Sequence, residues 1–122
     1  MSGNKYLADT NAFIYLLDKY PVLQPLLESE WMFSFITEIE LLGKKDILAE
    51  EIKNVRDVLS VCIKVAHVEK INELTISLKQ KYRIKLPDAL IAATVLYENI
   101  PLLTFDKDFV KIKELNLVLL EH

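Results

Sequence analysis

The sequence predicts an α/β domain of three layers, α/β/α, with helices on both faces of a central, mainly parallel sheet of about five strands. Three observations carry this. Short apolar runs alternate along the chain with longer segments whose apolar residues recur every three or four positions. Most of the short runs are too apolar to leave one face in water, which is the signature of strands covered on both sides. Finally, 122 residues with 52% apolar and 27% charged side chains suit one globular domain over residues 1–122, with a core large enough to need no staples.

Lys5 to Ala8 reads as the first strand, and a helical pattern begun at Asn11 continues through Ala12-Phe-Ile-Tyr-Leu-Leu17. Pro21 suits the first turn of a short helix to about Leu27, where its missing amide donor costs nothing. Trp31-Met-Phe-Ser-Phe35 is a second strand, followed by a helical turn Thr37 to Leu42 closed by Gly43. From Asp46 to Leu59, residues Ile47, Leu48, Ile52, Val55, Val58 and Leu59 form one apolar helical stripe. Val61 to Val65 is a third strand, and Val68 to about Tyr82 an amphipathic helix striped by Ile71, Leu74, Leu78 and Tyr82. Pro87 then opens the apolar helix Ala89 to Tyr97. Pro101 to Leu103 is a fourth strand ending at Thr104, Asp106 to Lys113 a capped helix, and Leu117 to Leu119 a fifth strand.

Composition narrows the classes of function. Cys62 is the only cysteine, so no intramolecular disulfide and no multi-cysteine zinc site can form; within Val61-Cys-Ile-Lys-Val65 it reads as a buried, inert thiol. No apolar run reaches the length of a membrane span, and no signal peptide is visible, so a cytoplasmic protein is expected. Leu120-Glu121-His122 reads as the start of a histidine-tag scar, and His122 is given no function. The net charge of −3 argues against a general nucleic-acid coat, yet it divides into −4 over residues 1–43, +4 over 44–85 and −3 over 86–122. Acidic ends bracket a basic middle.

The carboxylates carry the chemistry. Asp9 ends the first strand, where it can cap a helix or occupy the crevice that open α/β sheets offer to ligands beyond their strand ends. Asp88 falls in the first turn after Pro87, where a negative charge also suits the helix dipole. Asp106 and Asp108 follow the fourth strand, and either can cap the next helix. Glu38 and Glu40 share one short helix and point about 200° apart; periodicity does not choose between them. Together, however, Asp9, an acid after strand two, Asp88 and Asp106 share one rim of the sheet, and independent caps have no need to. Two carboxylates about 4 Å apart repel by about 4 kcal/mol at an effective dielectric near 20, so such a group calls for a bound cation. Oxygen ligands select hard ions, Mg²⁺ or Mn²⁺.

Four segments in this order and spacing give the chain a family likeness: Leu7-Ala-Asp9-Thr10-Asn11, Ser34-Phe-Ile-Thr37-Glu-Ile-Glu40-Leu-Leu-Gly43, Leu86-Pro-Asp88-Ala-Leu-Ile-Ala-Ala-Thr94 and Leu103-Thr104-Phe-Asp106-Lys-Asp108-Phe109. The sequence resembles PIN-domain ribonucleases, which include the VapC-type toxins of bacterial toxin–antitoxin pairs, over nearly its whole length. The resemblance selects Glu40, because the family's second acid precedes Leu-Leu-Gly. It also implies Asp9, Asp88 and Asp106 as the other catalytic, metal-holding acids, with Thr104 orienting the last. Where the family often has Asn, this chain has Asp106, so Asp108 stands as an outer or replacement ligand. Thr10 and Asn11 are assigned to the turn beside Asp9, within reach of a metal-bound water.

The resemblance implies Mg²⁺- or Mn²⁺-dependent hydrolysis of RNA, leaving 5′-phosphate and 3′-hydroxyl ends, together with a homodimer and an antitoxin partner. The basic run Lys79, Lys81, Arg83 and Lys85 precedes Asp88 and can gather the RNA backbone toward an otherwise repulsive site, or simply solvate the end of a helix. Lys44 and Lys45 are a weaker second pair. Trp31 and Tyr82 are read as core rather than as base-stacking platforms, and His67 as structural or exposed. Two rivals remain: a PIN-like module that binds RNA or a partner with little catalysis, and a phospho-acceptor receiver domain. The receiver needs paired acids after strand one and a lysine after strand five, where this chain has Asp-Thr-Asn and Leu-Leu.

Overall fold

A computed structural model describes residues 4–121; His122 of the expected tag scar lies outside them. Five parallel strands form one sheet: β1 Lys5–Ala8, β2 Glu30–Ser34, β3 Ile63–Val65, β4 Leu102–Thr104 and β5 Leu117–Leu119, in the order β3-β2-β1-β4-β5. The register pairs Leu7 with Met32 on one side and with Leu102 on the other. Helices α1 Thr10–Leu17, α2 Phe35–Leu42, α3 Ala49–Ser60, α4 Glu69–Lys81 and α5 Leu86–Glu98, with 3₁₀ segments Pro21–Leu26 and Lys107–Lys111, make the connections. The predicted three-layer α/β architecture with a five-stranded parallel sheet is borne out.

The two faces of the sheet follow from alternation along the strands. Tyr6, Ala8, Trp31, Phe33 and Leu103 turn to one face and meet Phe13 of α1, Leu41 of α2, and Val55 and Leu59 of α3. Leu7, Met32, Val65 and Leu102 turn to the other and meet Ile71 and Leu78 of α4, Ile91 and Val95 of α5, and Phe109 and Ile112. Crossover handedness accounts for the division. The steps from β1 to β2 and β3 run toward one edge, and those from β3 to β4 and β5 run toward the other. Connections of a single hand must then lie on opposite faces.

Element ends differ from the periodic reading wherever a local cap or backbone setting intervenes. Phe35 is the first residue of α2 rather than the last of a strand, because Ser34 Oγ accepts the Ile36 amide at 3.2 Å and starts the helix there. α3 begins at Ala49 instead of Asp46, since Asp46 sits at φ 60°, a left-handed setting that interrupts a helix. Leu48 and Ile52 of the expected stripe are exposed, at 65% and 38%. Val61, expected in β3, is the C-cap of α3. The segment after Asp106 is a 3₁₀ turn of five residues instead of a longer helix. Gly43 does close α2, and for a steric reason: a Cβ there would lie 2.5 Å from the Ile39 carbonyl oxygen, which accepts the Gly43 amide at 2.7 Å.

Candidate active site

The strand order reverses between β1 and β4. The chain leaves β1 toward β2 and returns to β4 on the opposite side, so the crevice beyond the carboxyl ends of β1 and β4 is the topological switch point. Asp9 follows β1 and Thr104 ends β4. The Asp9 amide donates to Leu103 O at 3.2 Å and carries the ladder one residue past the strand. Asp9 Oδ1 accepts the Ala12 amide at 2.8 Å, capping α1, while Oδ2 accepts the Thr104 hydroxyl at 2.5 Å. Thr104 Oγ1 in turn accepts the Asp106 amide at 2.9 Å, and Asp106 Oδ1 accepts the Asp108 amide at 2.9 Å. A buried hydroxyl thus joins the two strand ends and sets the turn that carries Asp106.

A second threonine holds Glu40. Thr10 Oγ1 donates to Glu40 Oε1 at 2.5 Å, so at the 3.1 Å contact between Thr10 Oγ1 and Thr37 Oγ1 the proton must come from Thr37. That relay ties the start of α1 to α2 and brings Glu40 toward the rim. Glu38 faces elsewhere: Arg56 Nη1 and Lys64 Nζ meet it at 2.8 and 2.9 Å. The two glutamates, which periodicity left open, therefore occupy different surroundings.

Electrostatics record the proximity of the acids. The Asp9 side chain is buried, at 4% exposure, and its pKa rises from 3.8 to about 6. Burial is the main cause; the bonds from Thr104 and Ala12 oppose it, and the charges of Asp106 and Asp88 add to it. Asp88 is raised too, first by burial, then by Asp106 and Glu40, with Asp108 adding and Lys85 opposing. Ion pairs elsewhere fall on Glu38, Glu51, Asp57, Glu73 and Glu114. Among the described residues, Asp9, Glu40, Asp88 and Asp106 have no ion-pair partner.

Several carboxylates gathered at one rim with no direct ion pair among the described residues suit a hard cation by donor chemistry. Among the described residues, no three of them close on a point as a ready cage. Mg²⁺ does not demand one, because it usually keeps several waters and takes only one or two carboxylates directly. The donor set fits such an ion.

The basic run divides. Lys79, Arg83 and Lys85 line a cavity of about 480 Å³, and Lys111 joins them. Asp88, Asp106 and Asp108 line the same cavity. Lys81 stands apart, paired with Glu114 at 2.9 Å, where the Tyr82 hydroxyl also donates at 2.6 Å. Sequence reasoning missed Lys111 and Thr37. Lys111 follows the rim acids by three to five positions, which was the available signal; Thr37 lies one helical turn before Glu40, and nothing in its type marks it. Asn11 is exposed, with no side-chain hydrogen bond among the described residues. Lys44 is paired with Glu51 at 2.9 Å. Trp31 is core, donating to Leu26 O at 3.0 Å, and His67 bonds Asn72 Oδ1 at 2.6 Å against the Phe35 ring.

The PIN domain family model matches residues 6–115. This chain belongs to the PIN-domain family. Among solved structures, it is similar to a chain of a toxin–antitoxin complex from Klebsiella pneumoniae, at 31% identity and a TM-score of 0.81, covering 96% of this chain and 99% of that one. VapBC2 from Rickettsia felis, bound to a DNA fragment from its promoter, matches at 27% identity and a TM-score of 0.75 over 93% and 96% of the two chains. VapBC-1 from nontypeable Haemophilus influenzae matches at 27% and 0.72 over 94% and 97%. No curated protein matches by sequence. The VapC-type likeness carried by the four motifs is borne out, and membership of the PIN-domain family supports a nuclease role. Among the described residues, no helix is long and apolar enough to cross a membrane.

Proposed function

We propose that this PIN-domain protein is a Mg²⁺- or Mn²⁺-dependent endoribonuclease, the toxin of a type II toxin–antitoxin pair, acting in the cytoplasm as a homodimer and restrained by an antitoxin. The observation that carries the reading is that Asp9, Glu40, Asp88 and Asp106 gather near the switch point closely enough for their charges to raise the carboxyls of Asp9 and Asp88, with no ion-pair partner among the described residues. Asp9 and Asp106 are fixed relative to each other by Thr104, and Glu40 by Thr10, so the oxygen donors are oriented before any ligand arrives. When bound, a divalent ion lowers the pKa of an attacking water and offsets charge on the leaving oxygen. The carboxylates hold and orient rather than attack phosphorus, and the cations at Arg83 and Lys85 counter their repulsion of the RNA backbone.

Incubation with a mixed RNA pool tests the proposal. Wild type should cleave with Mn²⁺ and not with EDTA, and Asp88→Asn should abolish the products while leaving the fold intact. Absence of cleavage by wild type with Mn²⁺ demonstrably bound would overturn the nuclease in favour of a binding module.

A further inference from the structure

The connector between α4 and α5 is held from both sides. Lys79 Nζ, from α4, donates to Ile84 O at 2.6 Å, and Lys111 Nζ, from the 3₁₀ segment after β4, donates to Arg83 O at 2.6 Å. Two ammonium groups thus cover two consecutive carbonyl oxygens. The side chains on the same short stretch are left to the cavity: Arg83 has no side-chain partner among the described residues, and Lys85 acts on Asp88 only through its charge. Lys81, two residues before Arg83, is already satisfied by Glu114.

We propose that residues 83–85 form a phosphate-holding strap. The Arg83 guanidinium and the Lys85 ammonium take a backbone phosphate of single-stranded RNA adjacent to the scissile one, while Lys79 and Lys111 are positioning residues that fix the strap. This rests on the nuclease reading and deepens it. The cavity of about 480 Å³ has the size of a small-ligand site, enough for one nucleotide. The carboxylates in its lining repel a phosphate, so the anion belongs against Arg83 and Lys85, one step from the acids. Covering the carbonyls of residues 83 and 84 removes two negative dipole ends from the neighbourhood of that anion. A guanidinium fork on a backbone tied at both ends binds phosphate with little further ordering.

The test measures binding of a fluorescein-labelled oligouridine of about ten nucleotides in EDTA, by anisotropy, across about 50 to 200 mM salt. Single-stranded contacts contribute about 0.7 each to the salt slope, so Arg83→Gln with Lys85→Gln should lower it by about 1.4. Over that fourfold range of salt, the double variant should lose about sevenfold less affinity than wild type. Lys81→Gln should leave the slope unchanged. Lys111→Met should weaken binding at an unchanged melting temperature, and Lys111→Arg should restore it. An unchanged slope in the double variant, in a protein that cleaves RNA with Mn²⁺, overturns the strap and leaves the nuclease standing. The expected slope change in a protein that never cleaves overturns the nuclease and supports the strap as a phosphodiester-binding site. Equal binding of a deca-glutamate peptide, with the same dependence on Arg83 and Lys85, overturns RNA as the occupant in favour of an acidic protein segment.

Discussion

Replacing Asp9 with Asn should stabilise the metal-free protein at neutral pH. Asp9 titrates near 6 instead of 3.8, chiefly because burial penalises its charged form. A folded pKa above the unfolded one means that the folded state binds the proton more tightly between about pH 4 and 6. Stability therefore falls as pH rises through that window, and the cost of ionised Asp9 is fully present above it. A shift of about two units corresponds to about 3 kcal/mol. The amide side chain keeps the shape and an acceptor for the Ala12 N–H, but it offers a donor toward Thr104 Oγ1, which itself donates to Asp9 Oδ2. That mismatch takes back about 1–1.5 kcal/mol. The remaining gain of about 1.5–2 kcal/mol corresponds to a rise of roughly 5–9 °C in Tm for a domain of this size. Circular-dichroism melts in EDTA at pH 4.5, 6.0 and 7.5 would show it. The variant should lead at pH 7.5, and its lead should vanish or reverse at pH 4.5. A variant that melts below wild type by the same margin at both ends would refute the reasoning. Saturating Mn²⁺, at about 100 times Kd, should add about 2.7 kcal/mol to wild type and distinctly less to the variant; equal shifts would remove Asp9 from the proposed metal set.

Three further substitutions separate holding from chemistry. Thr104→Val keeps the shape of a fully buried side chain but strips Asp9 Oδ2 and the Asp106 amide of their partner, so it should cost about 2–3 kcal/mol in urea denaturation and depress cleavage as well. Glu38→Gln, which loosens Arg56 and Lys64 at a half-buried surface site, should cost under about 1 kcal/mol and leave cleavage intact, whereas Glu40→Gln should leave stability within about 0.5 kcal/mol and abolish cleavage. A reversal of that pattern in a gel assay would exchange the roles of the two glutamates.

The layers were legible because buried parallel strands must be apolar and their connections must be helices. Tyr6, Leu7 and Ala8 needed only alternation to find opposite faces. Element ends were less legible, since they depend on single atoms: the Ser34 hydroxyl that starts α2, or the left-handed setting of Asp46 that delays α3. The basic run was half legible. Spacing in a sequence says that Lys79, Lys81, Arg83 and Lys85 lie near Asp88, but only the position of Glu114, 33 residues after Lys81, turns that one lysine away. Proximity to Asp106 and Asp108 in sequence places Lys111 near the rim, but its bond to Arg83 O, across a separation of 28 residues, follows only from the fold.

Asp9 shows why a motif acid is ambiguous until burial is known. As the cap of α1 it contributes about 1 kcal/mol, and Asn or Ser would cap nearly as well. Holding a charge at 4% exposure, with Asp106 and Asp88 nearby, costs about 3 kcal/mol above its folded pKa. The capping bond does not offset that cost, so capping does not explain an aspartate here. Its carboxylate keeps lone pairs beyond those used by Ala12 and Thr104, and these face the same rim as three other acids without ion-pair partners. A bound cation is what would turn the cost of that charge into a gain, and this makes the melting temperatures of the Asp9→Asn variant, with and without Mn²⁺, a direct measurement of what the charge is for.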